Sequence, residues 1–367
     1  MRLLEPDLTD PAAVVGHLLA VQGQEFHPAL WGISRRVDPS RRPDVKASVV
    51  AFDAGELLRT HVLRPTWHLV LPRDVRWLLE LTGSRVRRLM GTVLRSLGAS
   101  DPERALDAVA RLVRDGPLTR GEIVSGLIGR GLLAAEPNGV EVAQILITAE
   151  LRQAVISGPM SGRQHTYAAF DSRVPAGYGP VGERFDRDVA LVELWRGYLR
   201  GRACATVKDL AQWSGLTMAD ARRGLNLLLD ADGPEAVQQV AGTGDLDGLT
   251  FLTLPEARRD RPVPRSPQPP VIDLLQPYDE YVIAFGESRS VVYPPAADRQ
   301  PGARNGLLPG VAVDGVIAGW WRWTAGPRTL AFRAEWHRQP TSTETAGLEE
   351  QALLAAAYWR LELGRRS

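Results

Sequence analysis

Cysteine is nearly absent. Cys204 stands alone in 367 residues, which excludes a disulfide framework and a thiolate metal cluster and fits a reducing compartment. Lysine is almost as rare: only Lys46 and Lys208 occur among 44 basic residues, so Schiff-base chemistry through an amine has little to draw on. No run approaches the ~20 apolar residues of a membrane helix. Met1-Arg2-Leu3-Leu4-Glu5-Pro6 lacks the apolar core of a signal peptide, so a cytoplasmic protein with no membrane partner is expected. The six histidines show no pair at zinc-ligand spacing. A phosphate-cradling glycine loop, a nucleotide fingerprint and a Gly-x-Ser-x-Gly elbow are also missing. Neither a metal nor a cofactor is expected.

What is present is arginine. Basic and acidic residues nearly balance, 44 against 43, for a net charge of +1. A GC-rich genome writes arginine for lysine, but the planar guanidinium also suits phosphates and base edges. The arginines cluster at Arg35, Arg36, Arg41 and Arg42, at Arg85, Arg87 and Arg88, and at Arg222 and Arg223. A basic face opposite an acidic one would reconcile neutrality with nucleic-acid binding. Hydrophobic residues at 44% and charged ones at 24% are ordinary for a globular chain, and the length calls for two or three domains rather than one core.

Gln22-Gly23-Gln24 follows the apolar run Val14–Val21, whose Leu18, Leu19 and Val21 read as a core-facing helix with the amides at its C-terminal end. A glutamine offers two N–H donors and an acceptor and is neutral at every physiological pH. Two at one helix end either cap it and bond nearby backbone, or grip a water or a base edge; neither is a strong general base.

Three segments read as helix–turn–helix units followed by strands. In the first, helices over about 8–22 and 28–37 lead through Leu57–Leu63 to a β-rich wing at Thr66–Val70. In the second, Thr119 and Glu122 form a capping box, a helix follows Asn138-Gly139, and strands fall at Gln153–Ser157 and Thr166–Phe170. In the third, Thr206 caps one helix, Gly215 turns the chain, Thr217 caps the next with Asp220, and Arg222 and Arg223 point outward as on a recognition helix. A Pro- and Arg-rich connector over 258–270 precedes strands at Tyr281–Phe285, Gly310–Trp323 and Leu330–Trp336. Asp314-Gly315 is a hairpin turn there, and the helix Glu349–Leu363 closes the sheet. The fold class is α+β, divided into winged helices at 1–100, 101–180 and 181–257, the connector at 258–270, and an antiparallel β-barrel or sheet at 271–367.

The ordered motifs Leu18–Gln24, Leu63-Arg64-Pro65-Thr66-Trp67-His68-Leu69-Val70, Trp213-Ser214-Gly215-Leu216, Leu274–Tyr281 and Val313-Asp314-Gly315 together resemble a known family. It is that of the bacterial winged-helix DNA glycosylases, the azinomycin-resistance and interstrand-crosslink enzymes. The resemblance covers essentially the whole chain. It implies a C-shaped body of three tandem winged helices plus a β-barrel, with duplex DNA in the concave face. It further implies a catalytic Gln-x-Gln, which falls on Gln22 and Gln24. The chain departs from the family pattern at Gly23, where the middle residue is otherwise apolar or Ala, and at Glu25-Phe26-His27-Pro28.

The activity so implied is that of a monofunctional glycosylase for N-alkylated, bulky or crosslinked purines, acting as a monomer. A non-catalytic winged-helix DNA binder, such as a transcription regulator, is the alternative. Arg35, Arg36, Arg64, Thr66, His68, Arg222 and Arg223 are the candidate DNA contacts. Glu25, His61 and Asp279 are candidates for the border of the site, although Glu25 is otherwise a solvated carboxylate, His61 and His68 structural histidines, and Asp279 part of a turn.

Overall fold

Helix α1 (Pro11–Leu18) begins where Asp10 accepts a hydrogen bond from the Ala13 N–H at 2.8 Å and Pro11 fills the first turn. It stops after eight residues because Leu19 turns to φ 65°. Val21–Gln22 is then the short strand β1, followed by α2 (Phe26–Ser34) and α3 (Val45–Asp53). Gln22-Gly23-Gln24 therefore lies on an extended link between two helices, not at the end of a helix reaching residue 22, and the second helix ends at Ser34 rather than 37. β2 (Leu58–His61) and β3 (Trp67–Val70) form the expected hairpin, with Leu58 opposite Val70 and His61 opposite Trp67.

Next come α4 (Pro72–Arg95), α5 (Pro102–Leu112), β4 (Leu118–Thr119), α6 (Arg120–Ile128), α7 (Gly139–Leu151), β5 (Val155–Ser157), β6 (Thr166–Ala169) and α8 (Phe170–Arg173). The capping box holds: the Glu122 N–H donates to Thr119 Oγ1, and the Thr119 N–H to Glu122 Oε2 at 2.7 Å. The three strands order β4-β6-β5. Then follow α9 (Arg187–Arg202), β7 (Cys204–Ala205), α10 (Val207–Ser214), α11 (Met218–Asp232), β8 (Gln238–Ala241) and β9 (Thr250–Thr253), the strands ordering β7-β9-β8. Gly215 at φ 70° makes the expected turn, and the Asp220 N–H donates to Thr217 Oγ1 at 3.0 Å.

The C-terminal part contains β10 (Ile272–Leu274), α12 (Glu280–Ile283), β11 (Gly310–Val313), β12 (Val316–Ala325), β13 (Thr329–Trp336), α13 (Ser342–Tyr358) and β14 (Glu362–Leu363). The strand expected over Tyr281–Phe285 is instead α12, because the Asp279 side chain accepts the Tyr281 N–H at 2.8 Å and caps a helix. Asp314 and Gly315 turn β11 into β12 with positive φ at both residues. The sheet runs β10-β11-β12-β13-β14 and is antiparallel except at β14, which joins β13 in parallel after α13 ends at Tyr358.

The computed structural model describes the chain except residues 96–101, 175, 178, 183, 256–268, 295–308 and 365–367, with backbone only at 89–95 and 102. The connector expected over 258–270 lies outside the described residues as far as 268. Contacts divide the chain into two units. Met1–Ser48, Arg196–Trp213 and Leu228–Ser367 form one, and Val49–Trp195 with Ser214–Leu227 the other. The first buries Leu275, Val282, Ala312, Ile317 and Trp320 under its five-stranded sheet. The second buries Val109, Ile123, Leu146 and Val155 among α5, α6, α7 and β5.

Candidate active site around the two glutamines

The first unit contains Gln22, Gln24 and a buried set of charges around them. Gln22 is 4% exposed, Gly23 is buried, Gln24 half-buried and Glu25 exposed. Neither glutamine caps a flanking helix: α1 is followed by Leu19, and α2 is preceded by Glu25, whose side chain makes no capping bond. Gln22 Oε1 accepts the Gln24 backbone N–H at 3.4 Å, a long bond from a side chain to the backbone two residues on.

The Gln22 backbone is fixed from outside the motif. Its N–H donates to Glu280 Oε1 at 3.0 Å. Glu280 Oε2 accepts from Arg202 Nη2 at 2.6 Å and from Trp213 Nε1 at 2.8 Å. Arg202 Nη1 donates to the Leu18 carbonyl at 2.6 Å, and its guanidinium lies 4.8 Å from the Tyr198 ring centre and 4.4 Å from that of Trp213. Gly201 lets α9 come this close to α1, since a Cβ there would stand 2.8 Å from the His17 carbonyl oxygen. Thus the last carbonyl of α1 and the first N–H of the Gln-x-Gln segment are held by one ion pair. Burial pushes the nearby His17 down to about 4, helped by the chain's amino terminus, Arg2 and Arg202.

The far end of α2, the helix that follows the segment, is held by buried ion pairs of the same kind. Arg36, just past α2, donates to both Asp279 oxygens at 2.7 and 3.2 Å, to the Gly32 carbonyl at 2.7 Å and to the Met1 carbonyl at 3.0 Å. Arg35 donates to Asp273 Oδ1 at 2.7 Å. Both arginines are buried, so the phosphate-contact expectation for Arg35 and Arg36 is corrected: their guanidinium groups are consumed by internal carboxylates. Asp279 is likewise 2% exposed and committed to Arg36 and to capping α12.

In the second unit, His61 and His68 are buried as well: they lie on opposite faces of the β2–β3 hairpin, and both faces are covered. His61 Nδ1 lies 2.7 Å from Glu150 Oε2, and its ring packs on Trp67, which also carries the Arg59 guanidinium at 4.3 Å. His68 Nδ1 lies 2.9 Å from the Thr66 carbonyl. Both histidines are thus buried with partners inside the protein rather than exposed on a wing. Arg64 and Thr66 are half-buried. Arg222 and Arg223 are exposed on α11 as expected, with Arg223 ion-paired to Asp188.

Arg202 and Trp213 are neighbours of the Gln22 backbone that sequence reasoning did not place there, whereas Glu280 is left open by the sequence between a turn and a polar group bordering the site. Glu280 belongs to the Leu274–Tyr281 motif. Arg202 gives no local signal, since its partners lie 184 and 78 positions away.

Among the described residues no group of His, Cys, Asp and Glu is arranged to hold a metal ion, and no helix is long and apolar enough to cross a membrane. A search of curated protein sequences finds no match. Among solved structures the fold is similar to that of the Streptomyces sahachiroi DNA glycosylase AlkZ, with a TM-score of 0.68 at 20% identity, covering 99% of this chain and 95% of that one. The family model described as DNA glycosylase AlkZ-like matches residues 15–358, so this chain belongs to the AlkZ-like DNA glycosylases, DNA-repair hydrolases of N-glycosyl bonds.

Proposed function

We propose that the chain is a monofunctional DNA glycosylase that hydrolyses the N-glycosidic bond of N7- or N3-alkylated, bulky or crosslinked purines in duplex DNA, with Gln22 and Gln24 as its catalytic amides. The observation that carries this reading is a buried Gln22 whose backbone is pinned by Glu280, next to a half-buried Gln24 on the link between α1 and α2.

The chemistry suits two neutral groups. Cleavage passes through an oxocarbenium-like sugar, as in glycoside hydrolysis. An unmodified purine is a poor leaving group and needs a proton. N7-alkylation makes the base cationic already, so the protein has only to expose the bond, place a water and stabilise the sugar cation with carbonyl dipoles. Glu25, the nearest exposed carboxylate in sequence, is not required for that step.

The same order of strand, two helices and hairpin occurs three times along the chain: β1, α2, α3, β2, β3; then β4, α6, α7, β5, β6; then β7, α10, α11, β8, β9. This supports three winged helices, which clasp a duplex as a monomer without two-fold symmetry. Arg222, Arg223, Arg64 and Thr66 remain the candidate phosphate contacts.

The test is single-turnover release of base from duplex carrying N7-methylguanine, compared with a bulkier N7 adduct and a crosslink. Wild-type protein releases base and leaves an intact abasic strand that breaks only in alkali. Borohydride traps no adduct, since Lys46 is exposed and Lys208 is paired with Glu287 at 3.2 Å. Changing Gln22 and Gln24 together to Ala lowers the rate by at least ~100-fold, the scale of losing a transition-state contact, with duplex affinity and melting temperature near wild type. A variant that keeps the rate and melts early returns the glutamines to a structural role, and a wild-type protein that binds duplex without releasing base is a regulator-like binder.

A further inference from the structure

We infer that Glu280 is the positioning residue for the catalytic amides, and that the consecutive carboxylates Asp279 and Glu280 anchor the start of the Gln-x-Gln segment and the far end of the helix α2 that follows it. This inference rests on the catalytic reading of Gln22.

The geometry has three parts. Glu280 Oε1 receives the Gln22 N–H at 3.0 Å, while Oε2 receives Arg202 and Trp213 at 2.6 and 2.8 Å. Every contact uses a group that is buried, with both side chains of the Arg202–Glu280 pair at most 1% exposed. Glu280 is 1% exposed and turns both oxygens to protein donors, so it acts through the backbone of Gln22 rather than on substrate.

Arg202 completes the first clamp by taking the Leu18 carbonyl, four positions before Gln22. Two bonds from one ion pair thus fix where α1 ends and where β1 begins, which sets the direction in which the Gln22 side chain leaves the chain. The second clamp lies beyond α2, where Asp279 grips Arg36 with two bonds and Arg36 grips the Gly32 carbonyl. Because Asp279 also caps α12, the helix that carries Glu280, the clamps cannot move independently. The charges balance, two carboxylates against two guanidinium groups, which is what makes their burial tolerable.

A segment of extended chain between two helices is otherwise free to swing. A displacement of about 1 Å at a reacting group costs on the order of 100-fold in rate. An anchored backbone and a neutral side chain are therefore complementary requirements for a site whose only chemistry is to orient water and a developing cation.

Glu280→Gln tests the assignment. The amide keeps the shape of the carboxylate but turns one acceptor into a donor that must face Gln22 N–H, Arg202 or Trp213. At a temperature where the variant stays folded, the single-turnover rate is expected to fall roughly 10- to 100-fold, with duplex affinity within about twofold of wild type. Amide exchange of the peptide covering residues 19–24 accelerates in the same variant. In a Gln22→Ala background, Glu280→Gln costs little further rate, because the group it positions is already gone.

Should Glu280→Gln fold poorly, Trp213→Phe removes a single donor to Oε2 and gives a smaller loss of the same kind. A full loss repeated in the Gln22→Ala background, or unchanged exchange at residues 19–24 in Glu280→Gln, overturns the positioning role whatever Gln22 does. A wild-type rate in Gln22→Ala alone overturns instead the catalytic reading on which the role rests.

Discussion

A guanidinium taken out of water must be answered by a fixed carboxylate, and near the glutamines each one is: Arg35 by Asp273, Arg36 by Asp279, Arg202 by Glu280. Residue type alone cannot reveal this. Arg35-Arg36 and Arg222-Arg223 are the same dipeptide, yet the first pair lies inside the protein and the second on its surface. The role proposed for Gln22 and Gln24 comes from the family resemblance, since their spacing alone suits a helix cap or a backbone bond as well, whereas the charges around Gln22 come from remote parts of the chain. His17 carries a titration consequence. The unfolded chain protonates it near its ordinary 6.5, while the folded chain resists until about 4. Between those values the unfolded state binds more protons, so stability is full above about pH 6.5 and declines as the pH falls towards 4. Melting temperature followed from pH 7 to 4 should fall more steeply for wild type than for His17→Gln; parallel curves would rule His17 out as a source of the slope.

Elements whose signals are local were readable, and those ended by distant partners were not. The capping box at Thr119–Glu122, the cap at Thr217 and the turn at Asp314-Gly315 each need only four neighbouring residues, and all three formed. By contrast, α1 continues in sequence pattern to Val21, but Arg202 takes its last carbonyl and Gly201 presses on its final turn, so it closes at Leu18. The apolar run from Tyr281 reads as a strand because hydrophobicity is silent about Asp279, whose cap turns it into α12. The α6 box also offers a control remote from the glutamines in sequence. Thr119→Ala removes one accepted and one donated bond at an exposed helix start and should cost about 1 kcal/mol in denaturant unfolding. Base release measured well below the melting point should be unchanged. A loss of rate without loss of stability would give this helix a part in catalysis that its geometry does not suggest.

At the scale of the whole molecule, a net charge of +1 is a poor guide to a protein that binds a polyanion. What counts is how many cations remain free for phosphate once internal pairs are subtracted. Arg35, Arg36 and Arg202 are withdrawn by burial, Arg223 is shared with Asp188, and Arg152 with Glu103. Arg41, Arg87, Arg88 and Arg222 stay exposed. Each phosphate neutralised on B-DNA adds about 0.9 to the downward slope of log affinity against log salt. A measured slope therefore counts contacts, and it should reflect the exposed arginines rather than all the clusters visible in the sequence. Arg222→Ala should make the slope shallower by about 1 and weaken binding almost equally for every duplex sequence, as expected of a cation that meets phosphate rather than a base edge. Titration at several salt concentrations with undamaged duplex isolates this term from lesion recognition. A slope that Arg222→Ala leaves untouched would remove α11 from the DNA-binding surface, and a wild-type slope near zero would leave the glycosylase with no electrostatic hold on its substrate.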